Sequence, residues 1–199
     1  MEYVYECKSL IPEDFCVHLI EKFERDIHKK IGQVGQRQTN TRIRNNIVLE
    51  LTNRDDWKEE NEYLHYIMNM GMTEYISYIR DELYGEPNKH NISRLFAGDI
   101  SISDFLIQKY SPEEHFDWHT DNSQYEKRMI TFIMYLNTMD ENSGGETQFW
   151  KGKNIIPTRG NVIFFPSTWT YLHRGDKVLK GDKYIVTGFI HENILRKKI

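Results

Sequence analysis

His115-Phe116-Asp117-Trp118-His119-Thr120-Asp121 is the stretch on which the reading of this chain turns. In an extended strand, residues i and i+2 point to the same face, so His119 and Asp121 can reach one metal ion together. His115 and Asp117 share that parity, and spacing alone therefore leaves Asp117 with His119 as a rival pair. Phe116 and Trp118 fall on the opposite face and are expected in the core. Two imidazoles and one carboxylate form the facial set that holds non-haem Fe(II) and leaves positions open for chemistry. The second imidazole has to come from elsewhere, and His173, in Tyr171-Leu172-His173-Arg174-Gly175, is the candidate. A closed or sandwiched β-fold brings such distant strands together.

Ten residues beyond His173, Lys183 opens the strand Lys183-Tyr184-Ile185-Val186-Thr187-Gly188-Phe189-Ile190. A cation in an otherwise apolar strand is costly to bury unless it meets an anion. Lys183 and Thr187 share a face, and together they could bind a carboxylate.

From Ile100 onward the apolar period is two. Strands are expected at Ser103–Tyr110, Phe116–Asp121, Arg128–Leu136, Thr147–Trp150, Asn161–Phe165, Thr170–His173 and Lys183–His191, with turns at Asn142-Ser-Gly-Gly145 and Arg159-Gly160. Many short strands in close succession point to a barrel or jelly roll. The first part is read as helical. Pro12 with Glu13 and Asp14 starts a helix whose buried stripe is Phe15, Leu19, Ile20, Phe23 and Ile27, stopping near Gly32. A second helical region spans Trp57 to Leu83, with Gly71 as a kink, and ends at Gly85-Glu86-Pro87. The polar stretch Gly35–Asn46 reads as a loop, followed by a short strand over Asn46–Leu51. It and the segment Asn122–Lys127 are candidate substrate lids.

The ordered pieces carry a resemblance. They are Tyr110-Ser-Pro-Glu-Glu-His-Phe-Asp-Trp-His119-Thr-Asp121, Arg128-Met-Ile-Thr-Phe-Ile-Met-Tyr135-Leu-Asn137, Gly144-Gly145-Glu146-Thr147-Gln-Phe149, Gly160-Asn-Val-Ile-Phe-Phe165-Pro166, His173-Arg-Gly175 and Lys183-Tyr-Ile-Val-Thr187. In order and spacing this half of the chain resembles the Fe(II)/2-oxoglutarate-dependent dioxygenases, specifically the prolyl 4-hydroxylase-like branch. The resemblance implies a mainly β fold with N-terminal helices (α+β), its core a double-stranded β-helix or jelly roll. Residues 1–199 are then one catalytic domain, with 1–97 a helix-rich support and 98–199 the core.

By the same resemblance, His119, Asp121 and His173 are the metal ligands. Lys183 holds the distal carboxylate of 2-oxoglutarate, assisted by Tyr135, Thr187 and Tyr110. Arg128 matches a basic residue near the substrate entrance. Fe(II), 2-oxoglutarate and O2 are the implied cofactors, with ascorbate as reductant, and a peptide or protein is the implied substrate. One departure is the stretch Thr187-Gly188-Phe189, where relatives commonly carry a tryptophan.

Composition narrows the alternatives. A net charge of −4 gives no reason to expect nucleic acid or an anionic membrane as partner. Arg42-Ile43-Arg44 and Arg196-Lys-Lys198 are short basic groups of the solvated kind. Cys7 and Cys16 do not make a disulfide scaffold or a metal spacing. No apolar stretch approaches a membrane span, and the first residues lack the features of a signal peptide, so a cytoplasmic protein is expected. The competing functional readings are oxygenation of a free amino acid or other small molecule, a cupin-like metal enzyme without 2-oxoglutarate, and a non-catalytic metal-binding β-barrel module.

Overall fold

Alternation along three strands sets the architecture, a computed structural model describing residues 2–35, 38–85, 88, 90, 100–122 and 127–192. The chain opens with strand β1 (Tyr5–Cys7), helix α1 (Glu13–Arg25), and strands β2 (Lys30–Ile31), β3 (Arg44–Asn45) and β4 (Ile47–Glu50). A 3-10 turn at Asp55–Trp57 leads into helix α2 (Lys58–Ser77), which continues as a π-helical segment, Tyr78–Tyr84. The strands that follow are β5 (Ile100–Ile102), β6 (Leu106–Tyr110), β7 (His115–His119), β8 (Arg128–Tyr135) and β9 (Thr147–Phe149). Then come β10 (Asn154–Ile155), β11 (Val162–Pro166), β12 (His173–Gly175) and β13 (Lys183–Glu192).

All described pairings are antiparallel. One sheet runs β1-β11-β8-β13-β6-β4-β2, with β5 also paired to β13, and the other runs β10-β9-β12-β7-β3. On β8, Ile130, Phe132 and Met134 join the core under the helices, whereas Ile133 and Tyr135 join the core between the sheets. The same split divides Val162 and Phe164 from Ile163 and Phe165 on β11, and Tyr184 and Val186 from Ile185 on β13. Even positions therefore anchor the helical layer and odd positions face the second sheet, as a period of two demands. Each buried Phe on either face contributes roughly 2 kcal/mol of hydrophobic stabilisation.

Helix α1 carries Glu13 and Asp14 in its first turn and Lys22 and Arg25 in its last, complementing the helix dipole. It buries Cys16, Leu19 and Phe23. It also ends earlier than the apolar stripe suggested. Asp26 leaves the helix in an extended conformation, and Ile27 is 87% exposed rather than buried. The Asp26 carboxylate instead accepts bonds from Arg54 and the Trp57 indole, tying the end of α1 to the start of α2.

Gly71 does not kink α2, which is continuous through it. A Cβ there would stand 2.7 Å from the Phe164 ring and 2.8 Å from Leu10, so the glycine lets the helix approach the sheet. The first part also contains more strand than its polarity suggested, with β1 added to one edge of the large sheet and β2 and β4 to the other. β3, inside the expected loop, joins the small sheet. Because β3 and β4 belong to different sheets and only Asn46 separates them, the chain crosses between sheets at that fully buried residue.

The strand expected over Thr170–His173 is mostly a 3-10 turn, Trp169–Tyr171, with β12 starting at His173. Residues 123–126 of the second candidate lid, the boundary at 97–98 and the basic group Arg196-Lys-Lys198 lie outside the described residues. No helix among the described residues is long and apolar enough to cross a membrane.

Candidate metal centre

His119 and His173 are direct cross-strand partners on β7 and β12. The ladder slips by one residue beside them: His173 pairs with His119, but Gly175 pairs with Phe116. One residue, Arg174, thus opposes two, Asp117 and Trp118, which is a β-bulge. The bulge cancels the simple alternation. Phe116 does not oppose His119; its ring lies flat against the imidazole, centroids 3.6 Å apart and 11° from parallel. Asp117 is turned outward and exposed, with a carboxylate oxygen on the Trp118 amide. The pairing of His119 with Asp117 left open by spacing is therefore not the one the fold assembles.

His119, Asp121 and His173 bring one donor atom each to within 4.8 Å of one another. Asp121 Oδ1 is 3.6 Å from His119 Nε2, and Asp121 Oδ2 is 3.5 Å from His173 Nε2. Each imidazole uses Nδ1 on a backbone carbonyl, His119 on Asp117 at 2.8 Å and His173 on Tyr171 at 3.0 Å. A carbonyl only accepts, so Nδ1 carries the proton and Nε2 of the neutral ring presents a lone pair to Asp121. Burial, followed by the neighbouring His173, pushes His119 down to about 3, which keeps it neutral. Burial opposes ionisation of Asp121, but the two imidazoles and a bond from Thr131 outweigh it and hold the carboxyl below its usual range. Two lone pairs and a carboxylate facing one another without a shared proton suit a divalent cation, and the nitrogen and oxygen donors suit Fe(II).

The walls of this site are equally specific. Phe165 packs edge-on against the His173 ring, with Phe149 beside it. Thr131 on β8 donates to Asp121 Oδ2 at 2.6 Å and meets the Ser167 hydroxyl at 2.8 Å. A cavity of about 770 Å³ opens over the three donors. Of the residues expected at the site, Tyr110, Arg128, Lys183 and Thr187 line it with the His-Asp-His set. Tyr135 is not in the lining; it is fully buried and donates to Thr147, which is.

Lys183 is 2% exposed and donates to the Gly145 carbonyl at 2.6 Å. Burial pushes its pKa down to about 8, partly offset by Glu146 and Asp176. Its ammonium lies over the rings of Tyr110 and Tyr135, at 5.6 and 5.9 Å. Gly145, at φ +80°, makes this possible, since a Cβ there would press on the lysine chain and Val178. Arg128 donates to the Asp121 carbonyl and stacks on Phe189, its guanidinium 3.6 Å from the ring centroid.

Two residues of the cavity escaped sequence reasoning. Gln108 Oε1 accepts from Arg44, Asn46 and Tyr110, and its amide donates to Thr187 at 2.6 Å. It shares strand parity with Leu106 and Tyr110, and a buried amide at an inward position was the available signal. Arg44, expected to be solvated, lines the cavity beside Gln33 and Val34 and, from the expected loop, Gly35 and Ile43.

Comparison with known proteins agrees with this geometry. Residues 105–191 match the model of the 2OG-Fe(II) oxygenase superfamily, 2OG being 2-oxoglutarate. The match covers less than half of the chain, and over that part the chain is similar to the superfamily. The superfamily implies Fe(II), 2-oxoglutarate and O2 as cofactors.

Among relatives, a PKHD-type hydroxylase of Crocosphaera subtropica is 28% identical over 101 residues, covering 47% of this chain and 45% of its own. Prolyl 4-hydroxylase 13 of Arabidopsis thaliana is 28% identical over 118 residues, covering 44% and 42%. The chain thus spans less than half the length of these relatives.

Solved structures similar to this fold include a Trichoplax adhaerens prolyl hydroxylase in complex with a hypoxia inducible factor oxygen degradation domain peptide fragment. It has TM-score 0.76 and 15% identity, covering 96% of this chain and 84% of its own. A Pseudomonas putida prolyl-4-hydroxylase has TM-score 0.70 and 14% identity, covering 96% and 94%. Identities this low speak to fold alone.

Proposed function

We propose that this chain is an Fe(II)/2-oxoglutarate-dependent dioxygenase that hydroxylates an unactivated C–H bond, acting like a prolyl 4-hydroxylase on a peptide or protein. The observation that carries the reading is the pair of imidazole Nε2 lone pairs converging on the Asp121 carboxylate at the floor of a large cavity. His119, Asp121 and His173 hold the metal. The two sheets form a jelly-roll core, and residues 1–199 act as one catalytic domain whose first 97 residues supply the helical layer and sheet edges.

When bound, Fe(II) with 2-oxoglutarate and O2 supplies oxidative decarboxylation to succinate and CO2 coupled to hydroxylation of the substrate, with ascorbate as the reductant. The protein's own part is to bind, orient and exclude water. Lys183 pairs with the distal carboxylate of the cosubstrate, with Thr187 and Tyr110 beside it and Tyr135 supporting the wall through Thr147. The backbone carbonyls of Asp117 and Tyr171 keep each Nδ1 protonated, so that each Nε2 remains a ligand atom. Arg128 sits by Asp121 on the substrate side. Names of relatives and of similar structures, prolyl hydroxylases with a peptide complex among them, support a peptide or protein substrate.

Anaerobic titration of the apo-protein with Fe(II) and 2-oxoglutarate tests the proposal. A weak visible metal-to-ligand charge-transfer band, lost in Asp121→Ala, is the expected result. A folded protein that gives no band overturns it.

A further inference from the structure

We propose that Arg44 is a specificity-determining residue that captures a carboxylate on the substrate. The inference rests on the oxygenase reading above and deepens it to a substrate class.

Arg44 is fixed before any ligand arrives. Its Nε donates to Asn46 Oδ1 at 2.9 Å, its Nη1 to the Gln33 carbonyl at 3.0 Å and its Nη2 to Gln108 Oε1 at 2.9 Å. The guanidinium lies 4.9 Å from the centroid of the Phe116 ring, and that ring is also stacked on His119. The cation and a metal-ligand imidazole thus share one aromatic neighbour. A planar guanidinium held in this way loses little freedom when it binds a planar anion.

All three oxygens on Arg44 are neutral, and no carboxylate pairs with it among the described residues. A guanidinium has five N–H bonds. Three are used, which leaves one on Nη1 and one on Nη2 in a cavity wall. Asn46 already donates to Gln108, so the crossover between the sheets is hydrogen-bonded without a charge.

The charge balance points the same way. The carboxylate in the described lining is Asp121, and the cations are Arg44, Arg128 and Lys183. With the cofactors in place, the divalent metal and Lys183 are matched by Asp121 and the dianionic cosubstrate. Those charges cancel among themselves; Arg128 has its own partner in the Asp121 carbonyl, and no carboxylate of the described lining is left for Arg44, in a partly desolvated wall where a bidentate carboxylate is its best partner. That carboxylate is either a free α-carboxylate next to the target carbon or an acidic side chain beside it in a peptide.

Calorimetric titration of the protein loaded anaerobically with Fe(II) and 2-oxoglutarate tests this with two matched pairs of probes. One pair is N-acetyl-proline against N-acetyl-prolinamide. The other is acetyl-Ala-Asp-Pro-Asp-Ala-amide against its Asn twin. The carboxylate member of one pair is expected to bind about tenfold more tightly than its amide twin, and the pair that shows the preference identifies the source of the carboxylate. Arg44→Gln brings the twins to within about twofold, and Arg44→Lys, which keeps the charge but not the fork, leaves about threefold. Equal or absent binding of both twins in the wild type overturns the proposal, as does an unchanged preference in Arg44→Gln. Should that variant fail to fold, an undiminished preference in Arg44→Lys overturns it instead. The charge-transfer band is recorded on every sample. Its absence removes the oxygenase reading, and the preference measured on metal-free protein then decides the carboxylate site alone.

Discussion

Thr131 donates its hydroxyl hydrogen to Asp121 Oδ2 across 2.6 Å. With that hydrogen committed, the 2.8 Å contact between Thr131 and Ser167 must run from the serine to the threonine. The carboxylate of the proposed ligand is thereby held by a two-hydroxyl relay anchored on β8 and at the residue that follows β11.

Thr131→Val keeps the side-chain shape and removes the donor. Such outer bonds typically account for 10–100-fold in metal affinity, so Fe(II) affinity of the variant is expected to fall about tenfold with the fold unchanged. Titration with Fe(II) under anaerobic conditions reads this directly, and wild-type affinity in the variant would show that the relay does not support the metal.

Lys183 sets a pH limit on cosubstrate binding. Its depressed pKa of about 8 means that the ammonium is present below pH 8 and lost above it in the unliganded protein. Affinity for 2-oxoglutarate should be flat from pH 6.5 to about 8, then weaken by roughly tenfold per pH unit. Lys183→Met should bind weakly at every pH, without the break. A wild-type profile that stays flat to pH 9 would dissociate the lysine from the cosubstrate carboxylate.

Gly188 is occupied by its neighbour across the sheet. A Cβ at that position would lie 2.3 Å from the Phe132 ring, in the core beneath the helices. Gly188→Ala is expected to cost about 2 kcal/mol by overpacking and to lower Tm by several degrees while leaving Fe(II) affinity in place. Phe132→Leu in the same background should recover part of the loss. A thermal midpoint unchanged in Gly188→Ala is the contrary outcome.

Asp26 joins the two helices through a charge. Burial raises its pKa, but bonds from Arg54, the His28 amide and the Trp57 indole outweigh burial and bring it down to about 2. Because the folded value lies below the unfolded one, the contribution is complete above pH 4 and disappears as pH falls through 2. It amounts to ~2 kcal/mol. The stability gap between the wild type and Asp26→Asn, measured by urea unfolding, should therefore narrow between pH 4 and pH 2. A gap independent of pH would assign the effect to packing.

Much of the site could be read from the chain because strand parity is a local property. Lys183 and Thr187 were placed on one face by period, and His173 by its position among the motifs that carry the resemblance; the structure sets each in the same cavity. What escaped was what parity cannot carry. The bulge between Phe116 and His119 depends on the partner strand, so Phe116 was assigned to the wrong face. Arg44 and Gln108 meet because the chain changes sheets at Asn46, a tertiary event with no local signature. The length of α1 was overestimated for a related reason. Asp26 forgoes another helical turn to bind Arg54 and Trp57, which lie about thirty residues away in sequence.

The alternation along β8 and β13 also shapes what this chain can become. Substitutions at Thr131, Lys183 or Thr187 meet neighbours in the cavity, whereas those at Phe132, Tyr184 or Val186 meet the helical layer. The two sets share a backbone but few contacts, so their effects on free energy should be close to additive. New substrate preferences can then be explored at odd positions without drawing on the stability held at even ones. The helical layer can likewise drift, through compensating pairs such as Gly188 and Phe132, while the chemistry stays as it is.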